Sequence, residues 1–340
     1  MNDSTLRADL RLTALKRWVD GIDVVAGADL TPASDDASFR RYFRLQKGAQ
    51  SFIAMDAPPE REDCVPFIRV AGYLEAMQLN APRIVEADLE QGFLLLTDLG
   101  SVQYLAKLEE DASISARLYD DALQALAVMQ SRGAAYQSAL PPYEAELLDF
   151  ELSLFHDWLC GTHLQIQFTD EDEEAWRSLC DMLISDALDQ PQVFVHRDYH
   201  SRNLMVTPNR NPGILDFQDA VEGPLTYDLV SLLKDCYIQW PQQQVRQWVS
   251  EFYAQQDESL RSGLAETDFL RHFELMGVQR HLKAAGIFAR LNHRDGKAGY
   301  MLDVPRTLSY IVELEARYEE LGFLVRLINE RCLPALAAQS

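Results

Sequence analysis

The sequence has little that would tie it to an oxidising compartment, a membrane or a nucleic acid. Its five cysteines, Cys64, Cys160, Cys180, Cys236 and Cys332, are far apart, odd in number and form no CxxC pair. They give no sign of a disulfide framework or a zinc site, so reduced thiols are expected. No run approaches the roughly 18 apolar residues of a membrane span. At the N-terminus, Asp3, Arg7 and Asp9 stand where a secretory signal needs apolar side chains. Cytoplasmic location without a membrane partner is therefore expected. Positive charge is scarce: 31 Lys and Arg against 53 Asp and Glu give a net charge of −22. That field repels phosphate backbones and argues against a nucleic-acid partner. No internal repeat or low-complexity tract is present.

What is there describes an ordinary globular protein, with 47% hydrophobic and 25% charged residues, long enough at 340 residues for two lobes. Residues 4–20 carry Leu6, Leu10, Leu15 and Trp18 near helical spacing, with Ser4 or Thr5 as cap. SFRRYFRL (38–45), SFIAM (51–55) and GFLLLT (92–97) read as strands, with a helix over 65–78. Helical periodicity then dominates over 114–131, 144–160, 171–188, 225–238, 242–256, 267–292 and 306–331. The exception is 193–219, where VFVH, NLMV and GILDF are short apolar runs broken by polar residues. This pattern predicts an α+β fold with two lobes: a strand-rich N-terminal lobe (1–99) and a mainly helical C-terminal lobe (100–340). The acidic run DEDEE (170–174) fits a solvated helix start whose charges favour the dipole's N-terminal end.

The chemistry concentrates in VFVHRDYHSRNLMV, with His196, Arg197, Asp198 and Asn203, and in the following GILDFQDA, with Asp216. Asp-x-x-x-x-Asn alone says little. Flanked by strand-like runs, and followed by a second strand delivering Asp216 before a turn, it supplies the parts of a phosphoryl-transfer site. One carboxylate can meet the attacking hydroxyl, while an amide oxygen and a second carboxylate hold Mg²⁺ on the phosphates.

HRD with Asn203 five residues beyond Asp198, then an aspartate ending the strand ILDF, resembles the catalytic and metal loops of the protein-kinase-like superfamily. ILDFQDA with Tyr227-Asp228-Leu229 is similar to the aminoglycoside and choline phosphotransferase branch, while the DFG and APE of protein kinases are missing after Asp216. DASFRRYFR, MDAPPE and GPLTYDLVSLLKDCYIQWP resemble the bacterial N-acetylmuramate/N-acetylglucosamine anomeric kinases of cell-wall recycling. The resemblance spans nearly the whole chain. It implies a bilobal protein-kinase-like fold, ATP between the lobes, Mg²⁺ as cofactor and a small amino sugar as substrate, with a monomer as the expected state. It further implies Asp198 as catalytic base, Asn203 and Asp216 as metal ligands, and His196 and Asp228 as braces of the catalytic loop. Thr97, Asp98 and Leu99 fall where the hinge would meet adenine. Read from the residues alone, Asp198 could instead be a turn residue, Asp228 a helix cap and Asp219 a surface acid or an aid to a second metal. Other acceptors within the family (an aminoglycoside or choline) and a non-catalytic nucleotide binder are the alternative readings.

Two parts depart from the family pattern. SDDASFRRYF holds no glycine where a Gly-rich loop is expected, leaving Ala37 and Ser38 to let backbone N–H groups approach phosphate. Met55 occupies the expected position of the phosphate-binding lysine. A substitute cation is required there, and Arg40 or Arg44 is the candidate. With period two, Arg40, Tyr42 and Arg44 share one strand face, and Phe39, Phe43 and Leu45 the other. That face could also be merely solvated.

On the substrate side, residues 271–297 hold six basic side chains, among them Arg280, Lys283, Arg290 and Arg294, against Glu274 and Asp295. The spacing of those four keeps them close to one helical stripe, which would suit an anionic sugar such as N-acetylmuramate or simply balance acidic neighbours. Tyr237 and Trp240 could stack on a sugar ring or belong to the core. Residues 144–189 carry thirteen acids against Arg177 alone, a field that would suit a polycation or merely reflect solvated helix faces.

Overall fold

The computed structural model describes residues 3–34 and 39–339. The chain runs through α1 (Asp3–Asp20), β1 (Leu30–Ser34), β2 (Arg41–Lys47), β3 (Gln50–Asp56), α2 (Cys64–Ala76), β4 (Ile84–Asp88), β5 (Phe93–Thr97), α3 (Tyr104–Glu110) and α4 (Ser115–Gly133). It continues with α5 (Ala145–Leu154), α6 (Asp170–Asp189), β6 (Gln192–Val195), β7 (Leu204–Met205), β8 (Gly213–Ile214), β9 (Val221–Pro224) and α7 (Tyr227–Leu233). The remainder is helical: α8 (Gln242–Gln255), α9 (Glu258–Arg261), the long α10 (Glu266–Asp295), α11 (Val304–Val312), α12 (Gly322–Leu327) and α13 (Leu333–Gln339). No helix among the described residues is long and apolar enough to cross a membrane.

Two compact units form. The first takes residues 1–122 and 202–219, the second 123–201 and 220–340. The division differs from the expected boundary at 99, because α3, the start of α4 and the β7–β8 hairpin all belong with the first unit.

In the first unit, five antiparallel strands lie in the order β1-β2-β3-β5-β4. Phe43 and Leu45 of β2, Phe52 and Ala54 of β3 and Phe93 and Leu95 of β5 alternate onto one face, where Leu15 and Val19 of α1 close the core. Asp56, buried on that face, accepts from Arg11 Nε of α1 at 2.8 Å and Arg41 Nε of β2 at 2.9 Å, so two cations balance it. Tyr42 and Arg44 point to the opposite face, as the period predicts, and Met55 pairs opposite Tyr42. Phe39 is a correction to the expected strand. It lies before β2 and is 58% exposed, with the Arg61 guanidinium 4.7 Å from its ring. Ala37 and Ser38, expected near phosphate, fall outside the described residues.

The second unit packs around α10. Leu275, Val278, Leu282, Ala285 and Phe288 of that helix meet Leu152 of α5, Leu179 and Leu183 of α6 and Leu308 and Ile311 of α11 in one core. Thr169 caps α6 by accepting from Asp172 N at 3.2 Å while the Asp172 carboxylate accepts from Thr169 N at 3.0 Å, the arrangement the acidic run leads one to expect. The helix expected over 144–160 is α5 followed by a π-helical stretch, Phe155–His163, whose widened ring appears in Leu164 N donating to Leu159 O at 2.9 Å. Gly286 of α10 sits against that junction. A Cβ there would lie 2.3 Å from Leu154 C and 2.5 Å from Phe155 N. Gly286→Ala is therefore expected to cost at least ~1–3 kcal/mol, because backbone has to move. A thermal melt checks this, and an unchanged Tm would show that the close approach carries no weight.

The helix expected over 306–331 is broken. α11 ends at Val312, and Arg317 and Tyr318 beyond it reach Glu274 of α10, which accepts from Tyr318 Oη at 2.5 Å. Glu274 is buried, so a tertiary ion pair overrides a helical period that continues in the sequence.

Candidate active site

Within the first unit, the β7–β8 pairing of Leu204 with Ile214 and Met205 with Gly213 sets the site's register. Asn203 precedes one strand and Asp216 follows the other, so the ladder delivers both to the same end. Leu215 N donates to Asn203 O at 2.9 Å, and Asn203 Nδ2 lies 3.3 Å from Asp216 Oδ2. Asp216 adopts φ +62°, a left-handed conformation costly for a non-glycine residue. Its neighbour Phe217 is fully buried, with its ring 4.8 Å from that of Phe67 of α2, an anchor that holds the turn. Gln218 Nε2 donates to Asp216 Oδ1 at 2.9 Å, while the buried Gln218 Oε1 has no partner. Amide and carboxylate oxygens are the hard donors Mg²⁺ prefers, so this group fits a magnesium ion. Among the described residues no group of three or more His, Cys, Asp or Glu side chains gathers as a metal cage. A Mg²⁺ arriving on a nucleotide needs only one or two side chains beside the phosphate oxygens.

The two candidate arginines differ. Arg44 Nε and Nη2 donate to Asp98 at 2.6 and 3.1 Å, and Nη2 also to Gly100 O at 2.8 Å. Ser51 Oγ and Gly100 N add two more bonds to Asp98. Burial would raise the Asp98 carboxyl, but these donors outweigh it and hold its pKa below the usual range. Thr97 Oγ1 accepts from Arg83 N at 2.9 Å, and the Leu99 side chain packs at Gly213. The side chains of 97–99 thus tie the end of β5 to Arg83, to Arg44 and Ser51, and to β8. Arg40 pairs with Glu62 at 3.0 Å. Burial works against its charge, yet Tyr42, Glu62 and, more weakly, Asp216 keep the guanidinium protonated. Arg40 therefore lies within the field of the proposed metal carboxylate.

In the second unit, β6 pairs with β9 and releases the chain at His196. Asp228, in the first turn of α7 and fully buried, accepts from His196 N at 2.6 Å and Arg197 N at 3.0 Å. Burial pushes its carboxyl up to about 7, against those two amides. The pair of bonds holds Arg197 at φ +77°, so this strained residue is fixed by a named contact. Asp198 N donates to His196 Nδ1 at 3.2 Å. Asp198 itself is half-buried. Burial opposes its ionisation, but Lys283 first, then His200, His196 and Arg197, hold its pKa below the ordinary value.

Sequence reasoning missed the hub behind this charge pattern. Glu151 of α5, buried, takes Arg197 Nη2 at 2.5 Å and Lys283 Nζ at 2.8 Å, together with Tyr143 Oη and, at 3.2 Å, Gln279 Nε2. Lys283, expected to face substrate, also donates to Tyr227 Oη at 2.9 Å. The signal was present. Glu151 shares a helix face with Leu148, Leu152 and Phe155, and an acid on an apolar face marks a paired interior charge. Asp235 was missed too. It accepts from Ser201 N at 3.0 Å, Ser201 Oγ at 2.5 Å and Tyr237 N at 2.9 Å, pinning the loop's far end. The Tyr237 ring meets the His200 ring edge-on at 5.4 Å and lies 6.2 Å from Phe288, while the Trp240 ring packs against Trp248. Arg280 is buried beside Cys236. Arg290, ten residues further along α10, has Arg294 and Asp295 as its charged neighbours and stands apart from the group around Asp198.

A strand-rich first unit with a metal-type Asn–Asp pair, and a helical second unit with an HRD loop, make an α+β fold of the protein-kinase-like class. Residues 29–273 match the phosphotransferase enzyme family (APH), and the chain belongs to that family. It is 45% identical over 334 residues to a Pseudomonas aeruginosa protein named N-acetylmuramate/N-acetylglucosamine kinase, covering 94% of this chain and 96% of that one. The namesake from Pseudomonas putida is also 45% identical, over 335 residues, 95% of this chain and 97% of that one. Among solved structures, the GDP complex of aminoglycoside 2'-phosphotransferase-IIIa superposes with a TM-score of 0.60 at 14% identity, over 88% of this chain and 98% of that one. The chain is a phosphotransferase.

Proposed function

We propose that this chain transfers the γ-phosphoryl group of Mg-ATP to the anomeric hydroxyl of N-acetylmuramate or N-acetylglucosamine, giving a sugar 1-phosphate for cell-wall recycling in the cytoplasm. The observation that carries the reading is 45% identity, across nearly the full length of both chains, to proteins named for those two sugars.

In this reading Asp198 orients the attacking hydroxyl and takes its proton late, since the transition state is loose. The field of Lys283, His200, His196 and Arg197 keeps that carboxyl ionised, ready to accept. Asp228 holds the loop through the amides of His196 and Arg197, and Glu151 keeps Lys283 and Arg197 in place. Asn203 and Asp216 would hold Mg²⁺, which when bound neutralises charge on the β- and γ-phosphates. Arg40 supplies positive charge that Met55 does not, its guanidinium fixed by Glu62 within the field of Asp216. An anomeric hydroxyl is more acidic than an ordinary alcohol, so modest basicity at Asp198 suffices.

Arg40→Ala is expected to lower kcat/KM for ATP by roughly 10²-fold, the scale for losing one electrostatic contact to a transferring phosphoryl group. Arg44→Ala, whose fork serves Asp98, is expected to lower Tm with a smaller kinetic effect. Steady-state kinetics of both variants decide between them, and wild-type ATP kinetics in Arg40→Ala would remove Arg40 from the site. The function itself is tested by ADP release from Mg-ATP with N-acetylmuramate, N-acetylglucosamine, choline and kanamycin. Turnover confined to the two amino sugars supports the reading, and turnover with choline or kanamycin alone contradicts it.

A further inference from the structure

Arg280 is 7% exposed, and among the described residues it forms no ion pair. Its hydrogen-bond partner is Cys236 Sγ at 3.7 Å, a weak acceptor. A buried guanidinium has five donors and is ordinarily matched to a carboxylate, because leaving it unmatched costs several kcal/mol. The nearby acids are taken. Asp235 accepts three bonds from Ser201 and Tyr237, and Asp198 is the proposed proton acceptor. Lys283, three residues along the same helix, shows the ordinary solution, with Glu151 as its partner. Arg280 nevertheless remains charged: burial opposes the charge, and Cys236, Tyr227, Asp235 and Asp198 sustain it. A fixed cation thus stands within the field of the proposed catalytic carboxylate, with donors to spare.

We infer that Arg280 is a specificity-determining residue that receives the lactyl carboxylate of N-acetylmuramate, so that the site reads the acidic sugar by an arginine–carboxylate contact and accepts the neutral one without it. This inference rests on the proposed sugar-kinase activity. The two sugars differ at the lactyl ether, which is absent from N-acetylglucosamine, so discrimination between them isolates the contact. Because the carboxylate is remote from the transferred group, the contact is equally strong in ground and transition states and acts mainly on KM.

The test uses the whole chain and two sugars. Arg280→Met, similar in length and uncharged, is expected to lower kcat/KM for N-acetylmuramate about 10- to 100-fold, the range of a charge-assisted hydrogen bond. That loss falls mostly in KM, while kinetics with N-acetylglucosamine change little. Equal loss with both sugars overturns the inference and assigns Arg280 to the phosphoryl group or to the fold. The wild-type protein supplies a second measurement that needs no variant. The methyl ester of N-acetylmuramate, which keeps the lactyl bulk without its charge, is expected to lose the same factor in KM, and an undiminished KM overturns the inference. Absence of turnover with either sugar in the wild type would instead remove the proposed function.

Discussion

Asp198→Asn is expected to lower kcat at least ~100-fold, the lower range for losing a general base. The substitution keeps the shape and leaves the backbone contacts of the loop in place, since Asp228 bonds the amides of His196 and Arg197 and Asp235 bonds Ser201. KM for ATP and sugar should therefore stay close to wild type, and Tm should not fall. A fall in kcat with intact binding separates a chemical role from a structural one. The pH profile adds a check. The pKa of Asp198 is held below its ordinary value, so loss of activity through this group appears only on the acid side, below the usual carboxylate range. A near-normal rate in Asp198→Asn would leave the loop without its base.

Glu151→Gln is expected to have the largest effect on stability. Glu151 is 2% exposed and balances both Arg197 and Lys283, whose side chains are 19% and 12% exposed. Removing its charge leaves two cations in the interior with no anion between them, a change of about 3–5 kcal/mol. For a unit of this size that is a drop in Tm of roughly 10 °C. Activity should fall as well, because Lys283 and Arg197 would turn towards Asp198, the remaining acid in their field. Calorimetry checks the first effect. A Tm within a degree or two of wild type would show that solvent reaches this cluster and that the ion pairs carry little.

How much of this was legible in the sequence differs between the site and its supports. Asp198, Asn203 and Asp216 could be read because the chemistry sits in one stretch, and because short apolar runs broken by polar residues announce a hairpin. Three strands of the first unit's sheet, β2, β3 and β5, were legible, and alternation set the faces of β2, where Phe43 and Leu45 are buried while Arg44 faces away; β1 and β4 were not read. What was missed depends on residues remote in sequence. Glu151 looks like one acid among thirteen in its window, and Lys283 like one cation in a basic stripe, until α5 and α10 bring them to 2.8 Å. The stripe itself was a fair reading of helical spacing. Yet spacing says nothing of depth, and its members range from the buried Arg280 to Arg294, paired at the surface with its neighbour Asp295. The break after Val312 was hidden for the same reason, since Glu274 recruits Arg317 and Tyr318 from a segment that keeps a helical period.

The departures from the kinase pattern gain a physical account. Met55 is fully buried in the sheet and carries no charge, so the phosphate cation has to come from elsewhere. Arg40 meets three requirements at once: it is charged, it is fixed by Glu62, and it feels Asp216. Arg44 meets the first two with Asp98 in place of Glu62, and its bonds tie β2 to the turn after β5.

In the proposed reaction phosphate is delivered to the anomeric oxygen of an amino sugar. Phosphorus NMR of the product formed from Mg-ATP and N-acetylglucosamine tests it most directly. The expected sugar product shows a single phosphate resonance coupled to the anomeric proton, with the reducing end lost. A product that keeps its reducing end and carries phosphate on the C6 oxygen would contradict it.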